Sequence, residues 1–144
     1  MAVDVQTEIE IARERSEVAA YAADPGNAPA WYQNIESVDW RTPPPLAVGS
    51  RLAFVARFLG RRLAYTYEVV EHVPGERFVM RTAEGPFPME TTYTWEDAAG
   101  GTRMTLRNAG QPSGFGKVAA PVMARAMRQA NTKDLRRLKE ILES

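Results

Sequence analysis

The sequence contains no cysteine and a single histidine, His72, among its 144 residues. The missing thiols exclude disulfides, thiolate metal ligands and cysteine nucleophiles. One imidazole cannot build a histidine-rich metal site, and any Ser-His-Asp triad would have to use it. We therefore expect a protein that uses no cofactor and no metal.

Net charge and long apolar runs are also lacking. Eighteen basic residues balance eighteen acidic ones, so no global field attracts nucleic acid or an anionic membrane. No uncharged apolar run is long enough to span a bilayer, and the N-terminus opens on an alternating pattern in place of a signal sequence. We therefore expect a cytoplasmic protein with no nucleic-acid partner and no stable membrane insertion. The length fits one domain, residues 1–144.

The first forty residues predict a strand followed by two short helices. Residues 3–11, VDVQTEIEI, alternate as a half-buried strand does. Ser16 stands at an N-cap position before the helix formers EVAAYAA, and residues 24–26, DPG, end that helix. Residues 28–32 fit a second short helix, after which IESVDWR resumes an extended pattern.

The rest of the chain predicts an antiparallel meander and a long helix. Between residues 50 and 110 successive strands are separated by short turns rich in glycine and proline, as in hairpins. The helix predicted over residues 120–143 is about 35 Å long at ~1.5 Å per residue. Its apolar stripe must pack on the sheet. The predicted fold class is α+β, with a curved antiparallel sheet wrapped around the long C-terminal helix and two short helices after the first strand.

The two-residue period of the strands separates an uncharged inner face from a charged outer face. The inner face mixes Phe, Met and Trp with tyrosines, threonines and an asparagine. Buried hydroxyls and amides cost about 1–3 kcal/mol each if unsatisfied, so this mixture favours a cavity with water or ligand over a filled core. The candidate ligand-binding residues on the strands and the helix stripe are Phe54, Phe58, Tyr65, Tyr67, Met80, Met89, Thr91, Tyr93, Trp95, Met104, Asn108, Met123, Met127 and Asn131.

The energetic cost of an empty cavity limits its size. A dry ligand pocket of ~300 Å³ would cost about 7 kcal/mol at ~24 cal/mol per Å³, which rivals a typical total stability of about 5–15 kcal/mol. A cavity in this protein should therefore be narrowed by pliable side chains or occupied by water or a guest. Methionine suits the first of these tasks, although methionines are also ordinary core residues.

Four segments of the chain carry a family pattern. AWYQNIESV (30–38) is a tryptophan-centred segment, and YEVVEHVPGERF (67–78) is a strand and turn with the pattern Val-x-Glu-x-x-Pro. GPFPMETTYTWED with GGTRMTLRNAG forms the last two strands, and DLRRLKEILES forms the terminal helix. Together with the element order, these segments resemble the START-like (SRPBCC) superfamily of polyketide cyclases, dehydratases and lipid-transfer proteins across essentially the whole chain. The resemblance implies a helix-grip fold with a deep apolar cavity between sheet and helix.

The resemblance is specific for fold but not for reaction, because the superfamily hosts enzymes, carriers and receptors. It implies a cavity that opens near the short helices and loops, with a hydrophobic or aromatic small molecule, lipid or polyketide-like, as the partner. A homodimer is left open. The candidate rim residues are Trp31, Tyr32, Phe87 and Phe115.

Three functions compete. Acid–base catalysis needs a titratable group beside the substrate, and the inner strand faces supply no Asp, Glu, Lys, Arg or His. Binding of a small molecule without turnover is therefore favoured. An aromatic polyketide cyclase or dehydratase that uses tyrosine hydroxyls, Tyr67 among them, is the first alternative. A protein-interaction module with a filled cavity is the second, and an exposed Trp40 would favour it.

The strand alternation predicts whether each of three polar side chains points outward or inward. Glu90 shares the phase of the charged wall, so we expect it to be solvated and not catalytic. His72 is placed on the outward phase. Glu71 falls on the inward phase, but beside a turn.

Two prolines flank Phe87 and remove backbone donors from one side of the chain. Pairing on that side should therefore be absent until about Met89. This predicts that Phe87 lies at the rim of the cavity.

Overall fold

The computed structural model describes residues 2–144, which form one antiparallel sheet of seven strands and a long C-terminal helix. The strands lie in the order β1-β7-β6-β5-β4-β3-β2. In chain order the elements are β1 (Val3–Ile11), α1 (Arg15–Ala23), a 3-10 turn (Pro25–Asn27), α2 (Ala28–Trp31), β2 (Ile35–Trp40), β3 (Arg51–Phe58), β4 (Arg61–Val73), β5 (Arg77–Glu84), β6 (Met89–Ala98), β7 (Gly101–Gly110) and α3 (Ala120–Glu143). The predicted α+β helix-grip fold is confirmed, with a curled sheet around α3.

Loops of two to four residues join the consecutive strands from β3 to β7. Phe58 pairs with Arg61, so the β3–β4 loop is only Leu59-Gly60, and both of these residues have positive φ, 50° and 78°. Two-residue loops with this backbone match the twist of the strands they join. Gly100 supplies the positive φ, 81°, between β6 and β7.

The outer face of the sheet is a solvated wall of ion pairs. Arg107 and Asp4 approach to 2.6 Å between β7 and β1, and similar pairs join β3 to β4 and to β2 at the other side of the sheet. Glu90 belongs to this wall, with one carboxylate oxygen 3.3 Å from Arg81, as the strand phase predicted. Exposed pairs contribute little, about 0–1 kcal/mol each, so burial on the other face stabilises the fold.

A bulge in β4 overturns the predicted phase of two residues. The register with β5 shifts between Val69 and Glu71, so the side-chain alternation reverses beyond that point. Glu71 therefore points outward and accepts a hydrogen bond from Arg77 at 3.1 Å. His72 instead pairs with Phe78 on the inner phase, where the two rings lie 5.4 Å apart.

The predicted N-cap of the first helix is two positions off. α1 begins at Arg15, and its N-cap residue is Glu14, whose side chain makes no capping hydrogen bond. Ser16 lies inside the first turn. The helix is held by burial of its small residues against β6 and β7. Among residues 2–144, no helix combines the length and the apolar composition needed to cross a bilayer.

Candidate functional site

A cavity of about 170 Å³ lies between the inner face of the sheet and the first half of α3. The end of α1 and the 3-10 turn close one side of it. Its volume is below the ~300–1,000 Å³ usual for ligand pockets, in line with the expected narrowing. The predicted ligand-binding residues that line it are Phe54, Phe58, Tyr65, Tyr67, Met80, Met89, Thr91, Tyr93, Asn108, Met123, Met127 and Asn131.

Trp95 and Met104, also predicted as lining residues, do not line this cavity. They pair across β6 and β7 and are 3% and 0% exposed within the main hydrophobic core. The strand phase was right, but α1 packs over this end of the sheet. The inner face therefore borders a filled core beneath α1 and borders the cavity only beside the first half of α3.

Of the predicted rim residues, Tyr32, Phe87 and Phe115 line the cavity and Trp31 does not. Trp31 is 1% exposed, and its ring lies 4.1 Å from that of Tyr32. It ends α2 with its side chain turned into the core, so it anchors the short helix. Trp40 is half-buried and packs against the same core, which removes the observation that would have favoured an interaction module.

Phe87 lies at a break in the sheet, as its flanking prolines predicted. β5 and β6 pair only as far as Arg81 and Glu90, and residues 85–88 are outside both strands. The Thr82 hydroxyl spans the break by donating to the Met89 carbonyl at 3.2 Å and accepting from its N–H at 3.0 Å. The Phe87 ring is thereby free of the ladder and faces the cavity.

Three phenylalanines, Phe58, Phe87 and Phe115, form an aromatic mouth at this end of the cavity. Phe115 lies 6.0 Å from Phe58 and 5.9 Å from Phe87 between ring centroids. Its loop, residues 111–119, is held by Arg61, whose guanidinium lies 5.2 Å from the Phe115 centroid and donates to the Ser113 carbonyl. The mouth is therefore closed by a loop that one arginine fastens to β4.

Tyr67, Thr91 and Asn108 form a hydrogen-bonded chain across three strands. The Thr91 hydroxyl donates to Asn108 Oδ1 at 2.6 Å and lies 2.9 Å from the Tyr67 hydroxyl. Because the single hydroxyl hydrogen of Thr91 is used on Asn108, Tyr67 must donate to Thr91. Burial raises the pKa of Tyr67 to about 12, so the phenol is neutral.

A second polar cluster joins Tyr32, Tyr93 and Asp134. The two tyrosine hydroxyls lie 2.5 Å apart, and burial raises the pKa of both. Asp134, on α3, is 2% exposed and accepts a hydrogen bond from the Gln33 N–H at 2.9 Å. Burial raises the pKa of Asp134 to about 6, against the lowering effect of that hydrogen bond. Asp134 is thus a carboxyl that can exchange a proton near neutral pH.

The strand alternation did not predict Asp134, because this residue lies on α3. Its position carried a signal, since Asp134 follows Asn131 by three residues and precedes Leu138 by four, which places it on the buried stripe of α3. A charged residue on an apolar stripe is the informative exception in such a pattern. The 3-10 turn and the start of α2 were also missed as lining, although Pro25 and Ala28 line the cavity.

Asn131 lines the cavity and carries a buried amide nitrogen without a hydrogen-bond partner in the described part of the chain. The side chain is 6% exposed, and its Nδ2 has no partner among the described residues. A buried unsatisfied amide costs about 1–3 kcal/mol. Within residues 2–144, no group of three or more histidine, aspartate or glutamate side chains could hold a metal ion. The site therefore offers aromatic walls, hydrogen-bond donors and the buried carboxyl of Asp134.

Solved structures resemble this chain over nearly its whole length. A START superfamily protein from Mycobacterium smegmatis has a TM-score of 0.84 at 13% identity, covering 97% of both chains. The protein TTHA0849 from Thermus thermophilus has a TM-score of 0.82 at 21% identity, covering 95% of this chain and 94% of that one. The Zhui aromatase/cyclase from Streptomyces sp. R1128 has a TM-score of 0.80 at 14% identity, covering 99% and 94%. At these identities the likeness concerns the fold.

The sequence comparison assigns the family. No curated protein sequence matches the chain significantly. The profile of the family described as polyketide cyclase / dehydrase and lipid transport matches residues 2–143. That match, a sheet curled around α3 and a cavity between them show that the chain belongs to the polyketide cyclase/dehydrase and lipid transport family, within the START-like superfamily.

Proposed function

We propose that this protein binds a hydrophobic or aromatic small molecule, lipid or polyketide-like, in the cavity between the sheet and α3. The observation that carries the proposal is the lining itself, where phenylalanine, tyrosine and methionine side chains surround space that the core does not fill. A cavity with a few polar groups on largely apolar walls is the usual form of a small-molecule site. The family and its structural neighbours support the same reading.

A polyketide cyclase or dehydratase activity is the second candidate, and Asp134 is the observation that favours it. Such reactions move protons at carbon and oxygen, and a general acid or base works best with a pKa near the working pH. Burial raises the pKa of Asp134 to about 6 beside the Tyr32–Tyr93 pair. Binding without turnover is still preferred, because within residues 2–144 Asp134 is the one carboxyl on the walls formed by the strands and α3.

The proposal also includes the location of the protein, its lack of a cofactor and its domain organisation. The balanced charge of eighteen basic and eighteen acidic residues supports a cytoplasmic location without a nucleic-acid partner. The apolar cavity supports action without a cofactor. The chain is proposed to work as one domain, because the residues that line the cavity all come from a single chain.

Native mass spectrometry of the freshly purified protein, combined with thermal shift against a panel of apolar compounds, tests the binding function. A bound apolar molecule or a rise in melting temperature is expected, because a ligand that binds only the folded state stabilises it. Repeated failure to retain, or be stabilised by, any apolar compound would overturn the proposal.

Two variants on α3 show whether binding occurs in this cavity. Ala130 lines the cavity, whereas Gln129 is exposed on the helix surface. Ala130→Leu should abolish or strongly weaken binding by filling the space, while Gln129→Leu adds an apolar side chain to the same helix and should bind as the natural protein does. Equal binding by both variants would place the ligand elsewhere.

A further inference from the structure

We infer that the cavity selects uncharged ring compounds that carry a hydrogen-bond acceptor, such as a carbonyl oxygen, and refuses ligands that carry a carboxylate. This inference rests on the proposed binding function and narrows its ligand class. Two features of the wall support it: the signs of the charges that line the cavity and the balance of hydrogen-bond donors and acceptors.

The described part of the chain places no cation on the cavity wall. No lysine, arginine or histidine lines it, and the carboxyls that do are Asp24 and Asp134. The nearest guanidinium identified at the mouth, that of Arg61, is already stacked on Phe115 and bonded to the Ser113 carbonyl. A buried anion without a partner carries a large desolvation cost, and Asp134 would add repulsion. The wall therefore disfavours a carboxylate ligand.

Several hydrogen-bond donors on the same wall have no partner within residues 2–144. Asn131 Nδ2 is buried without a partner among the described residues. In the Tyr32–Tyr93 pair one hydroxyl donates its hydrogen to the other. The hydrogen of the accepting hydroxyl is not used within the pair and can be donated to a ligand. Tyr65 also lines the cavity, and no hydrogen bond of its hydroxyl is found among residues 2–144. A ligand that brings an acceptor oxygen satisfies groups that the protein leaves unsatisfied.

Asp134 adds a negative charge to this part of the wall. Its one identified partner is the Gln33 N–H, and the groups around it are the hydroxyls of Tyr32 and Tyr93. Since burial raises the pKa of Asp134 to about 6, the carboxyl repels an anion when charged and becomes a further donor when protonated. The charged form prevails at pH 8, and it favours an uncharged acceptor over a carboxylate.

The size of the cavity limits the compound to a small ring system. A cavity of about 150 Å³ lined by apolar side chains is known to hold benzene, and this one measures about 170 Å³. One aromatic ring with a short substituent is therefore the matching probe. Acetophenone, ethylbenzene and benzoate have nearly the same shape and differ in their hydrogen-bond acceptor. Acetophenone carries a neutral acceptor, ethylbenzene carries none, and benzoate carries a charged one.

Titration calorimetry of the natural protein with these three compounds at pH 8 tests the inference. Acetophenone should bind tightest and ethylbenzene roughly 5- to 100-fold more weakly, because it leaves a buried donor unsatisfied at about 1–3 kcal/mol. Benzoate should bind at least about 100-fold more weakly than acetophenone. Ethylbenzene binding as tightly as acetophenone, or benzoate binding at all tightly, overturns the selectivity but leaves the binding function standing. If none of the three binds, both proposals fail for single-ring compounds.

A pair of variants assigns the acceptor contact to Asn131. Asn131→Leu keeps the branched shape of the side chain and removes the unpartnered amide, so it should raise the melting temperature of the empty protein while reducing the preference for acetophenone over ethylbenzene to about twofold or less. Lys133→Leu, on the exposed face of the same helix, should keep the full preference. If Asn131→Leu keeps that preference too, the contact is not made by Asn131.

Discussion

The space between the sheet and α3 has two halves that differ in how they are filled. In the closed half Leu135 and Leu138 of α3 pack with Trp95 and Met104, and all four are nearly inaccessible. In the open half Met127 and the residues around it face a cavity of about 170 Å³. One helix and one sheet face therefore build both a filled core and a container.

The difference follows from what covers the sheet and from the residues of α3. α1 packs over β6 and β7 at the closed end, whereas the open end is covered by the 3-10 turn and the loop that carries Phe115. The stripe of α3 changes accordingly, from Met123, Met127 and Asn131 to Leu135 and Leu138. Flexible methionines can adjust to an absent or present guest, while branched leucines pack in one arrangement. The filled half therefore supplies stability, and the half with the cavity is the place of the proposed binding.

The largest expected effect is a difference in stability loss between substitutions in the two halves. Leu138→Ala should lower the free energy of unfolding by about 3–5 kcal/mol, because it opens a void in a filled core. Met127→Ala should cost about 2 kcal/mol or less, since its side chain already borders the cavity and loses fewer contacts. Urea denaturation of both variants measures the two values. Equal losses would show that the open half is packed as tightly as the closed one.

The next effect concerns Asp134, the charged group buried at the border of the two halves. Its pKa is raised from 3.8 to about 6 in the folded protein, so the folded state holds the proton more tightly than the unfolded state. The charged form therefore destabilises the fold: the cost is absent below about pH 4, grows as the pH rises toward 6 and is complete above it. At ~1.36 kcal/mol per pKa unit it amounts to at most about 3 kcal/mol.

Asp134→Asn should remove this cost and keep an acceptor for the Gln33 N–H. The variant should be more stable than the natural protein by about 1–3 kcal/mol at pH 7.5, and the gain should vanish near pH 4. Thermal or urea unfolding at several pH values measures it. Asp39→Asn, at an exposed position of β2, is the control. A gain that does not change with pH would contradict the argument.

The smallest effect on stability is expected at the aromatic mouth. Arg61→Gln removes the contact with the Phe115 ring and the bond to the Ser113 carbonyl, and should cost no more than about 1 kcal/mol. Amide hydrogen exchange across residues 111–119 should nevertheless become faster, and bound apolar ligand should leave sooner. Arg62→Gln, at the neighbouring exposed position, should change neither. Unchanged exchange in the Arg61 variant would mean that the loop is held by other contacts.

Much of the fold was predictable because strand phase and turn residues are local properties. The inner and outer faces, the hairpins, the bounds of α3 and the break at Phe87 all follow from the two-residue period, glycine and proline positions and helical spacing. Local patterns failed where a distant element intervened. The bulge in β4 reversed His72 and Glu71, and α1 turned the Trp95 position from cavity wall into filled core.

By itself the sequence determined the class of the fold and the uncharged character of the inner face, because side-chain periodicity sorts residues by solvent exposure before any contact forms. Only the tertiary structure decided which part of that face borders empty space. Volume depends on how α1, the 3-10 turn and α3 close over the sheet together, and on which polar groups they leave without a partner. Asn131 and Asp134 acquire their importance from that closure, since the same side chains on a solvated helix would be ordinary.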